Sequence, residues 1–355
     1  MLIFDLTLAT RRPALTGVER FGVHLFDAVR RVRPDAMALV NSTRAFEDHS
    51  GLVAVPQAYR GWFTAPQIVR DLCARPEAVV FPSAPASPLF RTTTMPLCRI
   101  VHDVFPWSWE RAMPWKGRLV YRYGENLMAR RYDWLLGTTP AVAQDLRALF
   151  RRPDVDWCGN GPGVARDGPE RRPDNVPDAF VLAVGTVEPR KGYARLVDLV
   201  DAAPAGAPPV VLVGRPGWGD VVSRVESLAA RRPDRFVWLR DLPDEGLRWL
   251  YRRAACFLSL SLAEGFNMPL VESASCGRPV LCTDIPVHRT VAPPWARFVD
   301  AQEGPDALWA DLRAPTSPTP TDSALYGERH SWEHVAGRLL EIIARRNHGK
   351  GIAAC

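Results

Sequence analysis

The sequence predicts an α/β protein made of two doubly wound, parallel-sheet domains. Short runs rich in Val, Leu, Ile and Phe alternate with helical patterns from Leu2–Leu6 to Val280–Cys282. Strands that are apolar throughout belong to parallel sheets covered on both faces. The series is interrupted at residues 163–178, where Pro, Gly, Arg and Asp replace the apolar residues, as in a linker. At 355 residues the chain exceeds one comfortable core and suffices for two.

Taken in order, Leu2–Leu6 reads as a first strand. Val18, Phe21, Leu25, Val29 and Val32 then recur at helical spacing, after a turn ending in Thr16-Gly17. Met37–Val40, Ala78–Phe81, Leu97–Val101 and Trp134–Gly137 are further strands, and Pro140–Phe150 is a helix. The polar region between the second and third strands, which holds Trp62-Phe63, resists assignment. A short strand at Val155–Cys158 closes the first domain, 1–162. The second domain, 179–330, opens with Phe180–Val184 and continues through Val210–Val213, Phe236–Leu239 and a helix at Asp244–Ala254.

Composition narrows the class. Hydrophobic content of 47% and charged content of 24% are those of a soluble globular protein. The formal charge of +6 is carried mostly by arginine, which suits phosphate groups or an anionic membrane surface. No nucleic-acid module appears, and a nucleic-acid partner is not expected. The seven cysteines are scattered and form no Cys-x-x-Cys pair, which predicts reduced thiols in a cytoplasm. Leu2–Leu6 is too short for a signal peptide and contains Asp5. No apolar run approaches the ~20 residues that span a bilayer.

The densest information lies between Ser259 and Asp284. The apolar run Cys256–Leu260 is a strand, Pro269 suits a helix start, Gly277 a helix end, and Val280–Cys282 the next strand. In such a strand–loop–helix–strand unit, ligands sit at the carboxyl ends of the strands. The amides of Asn267, Met268 and Leu270 are expected to point out of the helix start, where a diphosphate binds readily. Glu264 and Glu272 stand eight positions apart beside that anion site. Carboxylates so placed make sense if they grip neutral hydroxyl groups. The implied ligand carries sugars at both ends and phosphates between them. Gly185-Thr-Val-Glu-Pro-Arg190-Lys191-Gly192 follows the first strand of the second domain, and its cations suit a diphosphate leaving group.

The Glu264-x7-Glu272 spacing, with Leu250-Tyr-Arg-Arg-Ala-Ala, Glu264-Gly-Phe, Cys276-Gly-Arg-Pro-Val and Asp284-Ile-Pro around it, resembles glycosyltransferase family 4. Those are retaining enzymes of GT-B architecture, with two Rossmann-like domains facing a central cleft. The resemblance is strong over Ala179–Val291, moderate around Leu97–Gly161 and weak between Val40 and Ala78. It implies a nucleotide-sugar donor and a glycan or lipid-linked acceptor, with no cofactor and no metal. It further implies a C-terminal helix, 331–346, that packs back onto the first domain.

Roles follow from the same resemblance. Arg190 and Lys191 hold the donor diphosphate, with Gly17 facing the phosphates from the first domain. Glu264 binds a hydroxyl of the transferred sugar and Glu272 the ribose. Gly265, Phe266, Asn267, Met268, Pro269 and Leu270 complete the donor site. His102, in a His-Asp pair at a strand end, touches the sugar; His102, Glu264 and Lys191 are the catalytic candidates. Three positions depart from the pattern: Thr186 stands where many relatives have arginine, Asn267 where they have glycine, and Thr290 where glutamate is common.

The style of the motifs is similar to bacterial mannosyltransferases of polysaccharide assembly, so GDP-mannose is the expected donor. The basic, aromatic stretch Phe105–Arg131 suits an acceptor site or a peripheral contact with the anionic cytoplasmic face of the membrane. Asp154-Val-Asp156 is the spacing that holds a divalent ion in the other glycosyltransferase architecture, but here it lies beside the linker. Two other classes compete with this reading. A dinucleotide-dependent oxidoreductase lacks its Gly-x-Gly-x-x-Gly after either first strand. A non-catalytic sugar-nucleotide-binding protein would keep the same donor residues and is separated only by turnover.

Overall fold

The computed structural model describes residues 1–11, 15–55, 57–108 and 122–349. The chain divides into two compact units, Met1–Gly161 with the segment from Ser331 onward, and Pro162–His330.

In the first unit the order is β1 (Leu2–Leu6), α1 (Gly17–Val32), β2 (Met37–Val40), β3 (Leu52–Ala54), α2 (Ala58–Leu72), β4 (Ala78–Phe81), β5 (Leu97–Val101), α3 (Phe105–Ser108), α4 (Gly124–Met128), β6 (Trp134–Gly137), α5 (Pro140–Phe150) and β7 (Asp156–Trp157). The strands form one sheet in the order β3-β2-β1-β4-β5-β6-β7, and all pairs are parallel. Every residue of β1, β4, β5 and β6 is buried, as the apolar runs require.

The second unit runs β8 (Val181–Val184), α6 (Tyr193–Asp201), β9 (Val210–Val213), α7 (Val221–Arg231), β10 (Phe236–Leu239), α8 (Asp244–Arg253), β11 (Cys256–Ser259), α9 (Met268–Ser275), β12 (Val280–Thr283), α10 (Pro286–Val291), β13 (Arg297–Val299), α11 (Pro305–Arg313) and α12 (Pro320–Arg329). Its parallel sheet has the order β10-β9-β8-β11-β12-β13. Each unit is therefore a doubly wound Rossmann-like layer arrangement. Strand order reverses between β1 and β4 in one sheet and between β8 and β11 in the other. Ligands favour the carboxyl ends of strands at such reversals.

The last helix, Trp332–Gly349, returns to the first unit. Val335, Ala336, Leu339, Ile342 and Ile343 join a buried cluster with Phe21, Leu25 and Val29 of α1. Trp332 meets Phe21 edge-on at 5.5 Å and lies 5.3 Å from His24. Arg338 stacks over Trp157 at 3.5 Å and donates to that residue's carbonyl, which ties the helix to the edge strand.

Two stretches differ from the sequence reading. The unassigned region after β2 contains β3 and α2. β3 is a three-residue edge strand that is only partly buried, so its apolar alternation is faint. α2 carries Gly61 and, in its interior, Pro66, both helix-weakening residues, and is held by buried Trp62, Ala65 and Val69. The second difference is at 163–178, which is fastened to the second unit. Arg248 donates to the carbonyl of Ala165, and Arg252 pairs with Asp167 and Glu170.

Trp109, Arg111, Trp115, Lys116, Arg118 and Tyr121 of the basic aromatic stretch lie outside the described residues. Of its described members, Trp107 packs edge-on against Phe150 and donates to Asn126, while Tyr123 is exposed. Among the described residues no helix is long and apolar enough to cross a membrane. The described cysteines are free thiols; burial pushes Cys158, Cys256 and Cys282 up to about 12.

Leu339 is fully buried at the contact between the last helix and α1. Leu339→Ala is expected to lower stability by about 2–5 kcal/mol, read as a lower urea midpoint at unchanged slope.

Candidate functional site

The site in the second unit is built where β8 and β11 lie side by side. After β8 the chain passes through Gly185 and a 3-10 turn, Pro189–Lys191, and then Gly192 with φ 69°. A Cβ at Gly192 would stand 1.9 Å from the carbonyl oxygen of Leu260, so only glycine allows this approach. The Leu262 amide donates to the Arg190 carbonyl at 2.7 Å. The loops that follow the two strands are thus joined through their backbones.

Glu264 joins them again through side chains. Its Oε1 accepts from Lys191 Nζ at 2.6 Å and from the Ser261 hydroxyl at 2.7 Å. Its Oε2 accepts from Arg190 Nη1 at 3.1 Å, and Arg190 also pairs with Glu188. The Glu264 side chain is 4% exposed and those of Lys191 and Arg190 11% and 20%, so solvent screens these charges weakly. Burial pushes the Glu264 carboxyl up. The ammonium of Lys191, the guanidinium of Arg190 and the bonds from Lys191 and Ser261 outweigh it and hold the group at about 2.

The loop then reaches α9. Asn267 precedes the helix with a left-handed backbone, φ 73°, and Pro269 is in the first turn. The structure corrects one expectation here. The Leu270 amide donates to the Asn267 carbonyl at 3.1 Å inside the first turn, so it does not face outward. Asn267 and Met268 remain as the amides preceding that bond. The Asn267 side chain is turned inward, 2.9 Å from both Ser259 Oγ and His288 Nε2. Phe266 is buried and meets His330 edge-on at 5.7 Å. Gly265 lies in the buried part of the same loop.

Glu272 is buried one turn into α9. Its Oε1 accepts the amides of Gly163 and Val164 at 2.7 and 3.0 Å, and its Oε2 accepts from the Tyr251 hydroxyl at 2.5 Å. The second acid of the pair therefore anchors the loop segment that enters the unit. Burial, then the charge of Glu272, pushes the Tyr251 phenol well above its ordinary range.

Gly17 and His102 belong to the first unit. Gly17 opens α1 behind Thr16, whose backbone amide is capped by Glu19 at 2.7 Å. His102 follows β5, and its Nε2 lies 2.7 Å from the Pro82 carbonyl. A carbonyl only accepts, so Nε2 carries the hydrogen and Nδ1 keeps its lone pair. Phe21 meets the ring edge-on at 4.5 Å. Burial of the ring, opposed by the Pro82 bond and helped by Arg99, lowers its pKa to about 4. Asp103 accepts from the Phe105 amide at 3.1 Å and so caps α3.

Ser259, Ser261, Tyr251, Thr283 and His288 were not singled out by sequence. Their signal was weak: serines in a strand and an isolated histidine read as ordinary structure. Asp154 and Asp156 face arginines, Arg152 at 2.7 Å and Arg338 at 3.7 Å. Among the described residues no three His, Cys, Asp or Glu side chains are grouped to hold a metal ion.

Residues 168–313, which contain the Lys191–Glu264 cluster and all of α9, match the family model described as glycosyl transferases group 1. The second unit matches the group 1 glycosyltransferases. Among curated proteins, the serotype-specific mannosyltransferase WbdA of Escherichia coli is 27% identical over 237 residues, 59% of this chain and 28% of WbdA. The O-antigen chain mannosyltransferase B of Escherichia coli is 38% identical over 114 residues, 30% of this chain and 29% of the relative. The chain thus spans less than a third of the length of these relatives. Among solved structures, HepE of Anabaena with UDP and glucose is similar over 97% of this chain and 99% of its own, with a TM-score of 0.71 at 16% identity. WaaG, a glycosyltransferase involved in lipopolysaccharide biosynthesis, is similar over 98% of both chains, with a TM-score of 0.61 at 16% identity. The fold of the chain is that of the GT-B glycosyltransferases.

Because Glu264 is held near 2, against an ordinary 4.5, its stabilisation is complete above about pH 4.5 and is lost as the pH falls toward 2. Glu264→Gln should remove that acid dependence. At neutral pH it should lower stability by about 3 kcal/mol, because Lys191 and Arg190 lose their shared counter-ion. Thermal unfolding across pH measures both.

Proposed function

We propose that this chain is a retaining, metal-independent glycosyltransferase that moves a hexose from a nucleotide-sugar donor to a glycan or lipid-linked acceptor. The observation that carries the reading is the buried Glu264 with its two cations at the β8–β11 strand ends, inside the segment that matches the group 1 family. Lys191 and Arg190 carry positive charge at the place where a departing diphosphate needs it, and fixed cations there do electrostatically what a bound ion would do. The Asn267 and Met268 amides at the start of α9 add the helix's positive end.

In this reading Glu264 exchanges part of its contact with Lys191 for a sugar hydroxyl. The cations are then released toward phosphate as the acid is engaged by sugar. The diphosphate oxygen that leaves the anomeric carbon takes the proton of the attacking acceptor hydroxyl on the same face, so configuration is retained without a covalent enzyme intermediate. Glu272 holds the Gly163–Val164 backbone and stands as the ribose-side acid. Gly17 and His102 keep the roles that the resemblance implies for them. His102 is neutral at physiological pH and offers the Nδ1 lone pair to a hydroxyl proton. The similarity to WbdA and to the O-antigen chain mannosyltransferase supports mannose as the sugar and cell-surface polysaccharide as the product class. A lipid-linked acceptor would bring the chain to the cytoplasmic membrane face.

A panel of nucleotide sugars, GDP-mannose first, assayed for donor hydrolysis and transfer, tests this. Turnover with one of them is expected. Lys191→Ala should lower kcat by about 100-fold or more when assayed below the variant's own, lowered melting temperature, the size of loss seen when a donor to a developing anion is removed. Binding of a nucleoside diphosphate with no turnover of any donor would refute the enzymatic reading.

A further inference from the structure

The donor reading does not explain an asparagine at position 267, where the backbone is left-handed at φ 73°. Asparagine tolerates that region better than other side chains but less freely than glycine. Its side chain is buried and points away from the helix start. Asn267 Nδ2 donates to Ser259 Oγ at 2.9 Å and lies 2.9 Å from His288 Nε2. His288 is fully buried, and its Nδ1 lies 2.7 Å from the Thr283 carbonyl.

That last contact fixes the tautomer. The Thr283 carbonyl can only accept, so Nδ1 carries the hydrogen and Nε2 presents a lone pair to the Asn267 amide. The Thr283 hydroxyl extends the chain to the carbonyl of Ser261, whose own hydroxyl donates to Glu264. One set of bonds thus runs from α10 through the ends of β12 and β11 to the loop 264–268.

We propose that His288 is a positioning residue: its neutral Nδ1–H form clamps Asn267 and thereby holds the loop Glu264–Met268 and the first turn of α9 in the shape that receives the donor diphosphate. Protonation would set an N–H against the Asn267 N–H and release the clamp. Glu264 and Lys191 act on the ring from the loops after β11 and β8, and Asp284, itself paired with Arg289, from the end of β12. Burial is the largest influence and keeps the ring neutral below the ordinary 6.5. What the loop receives rests on the donor reading; the clamp rests on the bonds above.

Hydrogen exchange of the 260–272 amides and titration with GDP and UDP, in wild type, His288→Gln, His288→Ala and Asn267→Gly from pH 4.5 to 8, test the two parts separately. Glutamine keeps a donor and an acceptor but does not titrate in this range. At neutral pH His288→Gln should stay near wild type. His288→Ala should raise exchange in the loop about tenfold and weaken nucleotide binding by a similar factor. Below pH 6.5 the wild type should lose protection and affinity progressively, because the folded ring titrates below its ordinary value, while His288→Gln stays level. Asn267→Gly, which needs no clamp to hold a positive φ, should remove the acid effect.

The same acid loss in His288→Gln as in wild type overturns the clamp. So does wild-type protection in His288→Ala. Increased loop exchange with unchanged nucleotide affinity overturns the positioning role. Loop effects as expected with no binding of either nucleotide support the clamp and refute the donor reading instead.

Discussion

The second unit depends on one carboxylate that would be too costly to bury alone. Glu264 enters the interior because Lys191, Arg190 and Ser261 meet it there, and those groups come from the loops that follow two neighbouring strands. The close approach of Gly192 to Leu260 sets the distance at which these bonds form. Backbone fit comes first and charge balance follows from it.

The acid pair divides into unlike roles despite its regular spacing. Glu264 is bound by cations, whereas Glu272 is bound by two amides and a phenol. The first partnership is electrostatic and strong enough to drive the acid to about 2; the second is a hydrogen-bonded brace between α9, α8 and the loop at Gly163–Val164. His102 offers a third variant, an imidazole kept neutral by burial and oriented by one carbonyl.

Most of the architecture was legible because parallel strands buried on both faces are apolar without interruption. Met37–Val40, Ala78–Phe81, Leu97–Val101, Trp134–Gly137, Val210–Val213 and Phe236–Leu239 occur where their apolar runs indicate. β3 and α2 were hidden because one is a partly exposed edge and the other contains proline and glycine. At the site, glycines and charged residues announced themselves by type. The sequence could not show that Glu264 has cations as partners, that the Leu270 amide is used inside its own turn, or that Asn267 points into the core. Those facts depend on which way a loop turns, and no periodicity encodes it. His288 was invisible for the same reason, since its meaning lies in a carbonyl and an amide distant in sequence.

The helix that begins at Trp332 completes a layer whose other parts were all made before Gly161. On the ribosome the part of the cluster around Phe21, Leu25 and Val29 that the last helix covers stays open while some 170 intervening residues of the second unit are synthesised. The middle of the polypeptide can reach its native state before the beginning does. Nascent chains of this protein therefore pass through an interval in which the apolar surface that the helix from Trp332 covers is still open.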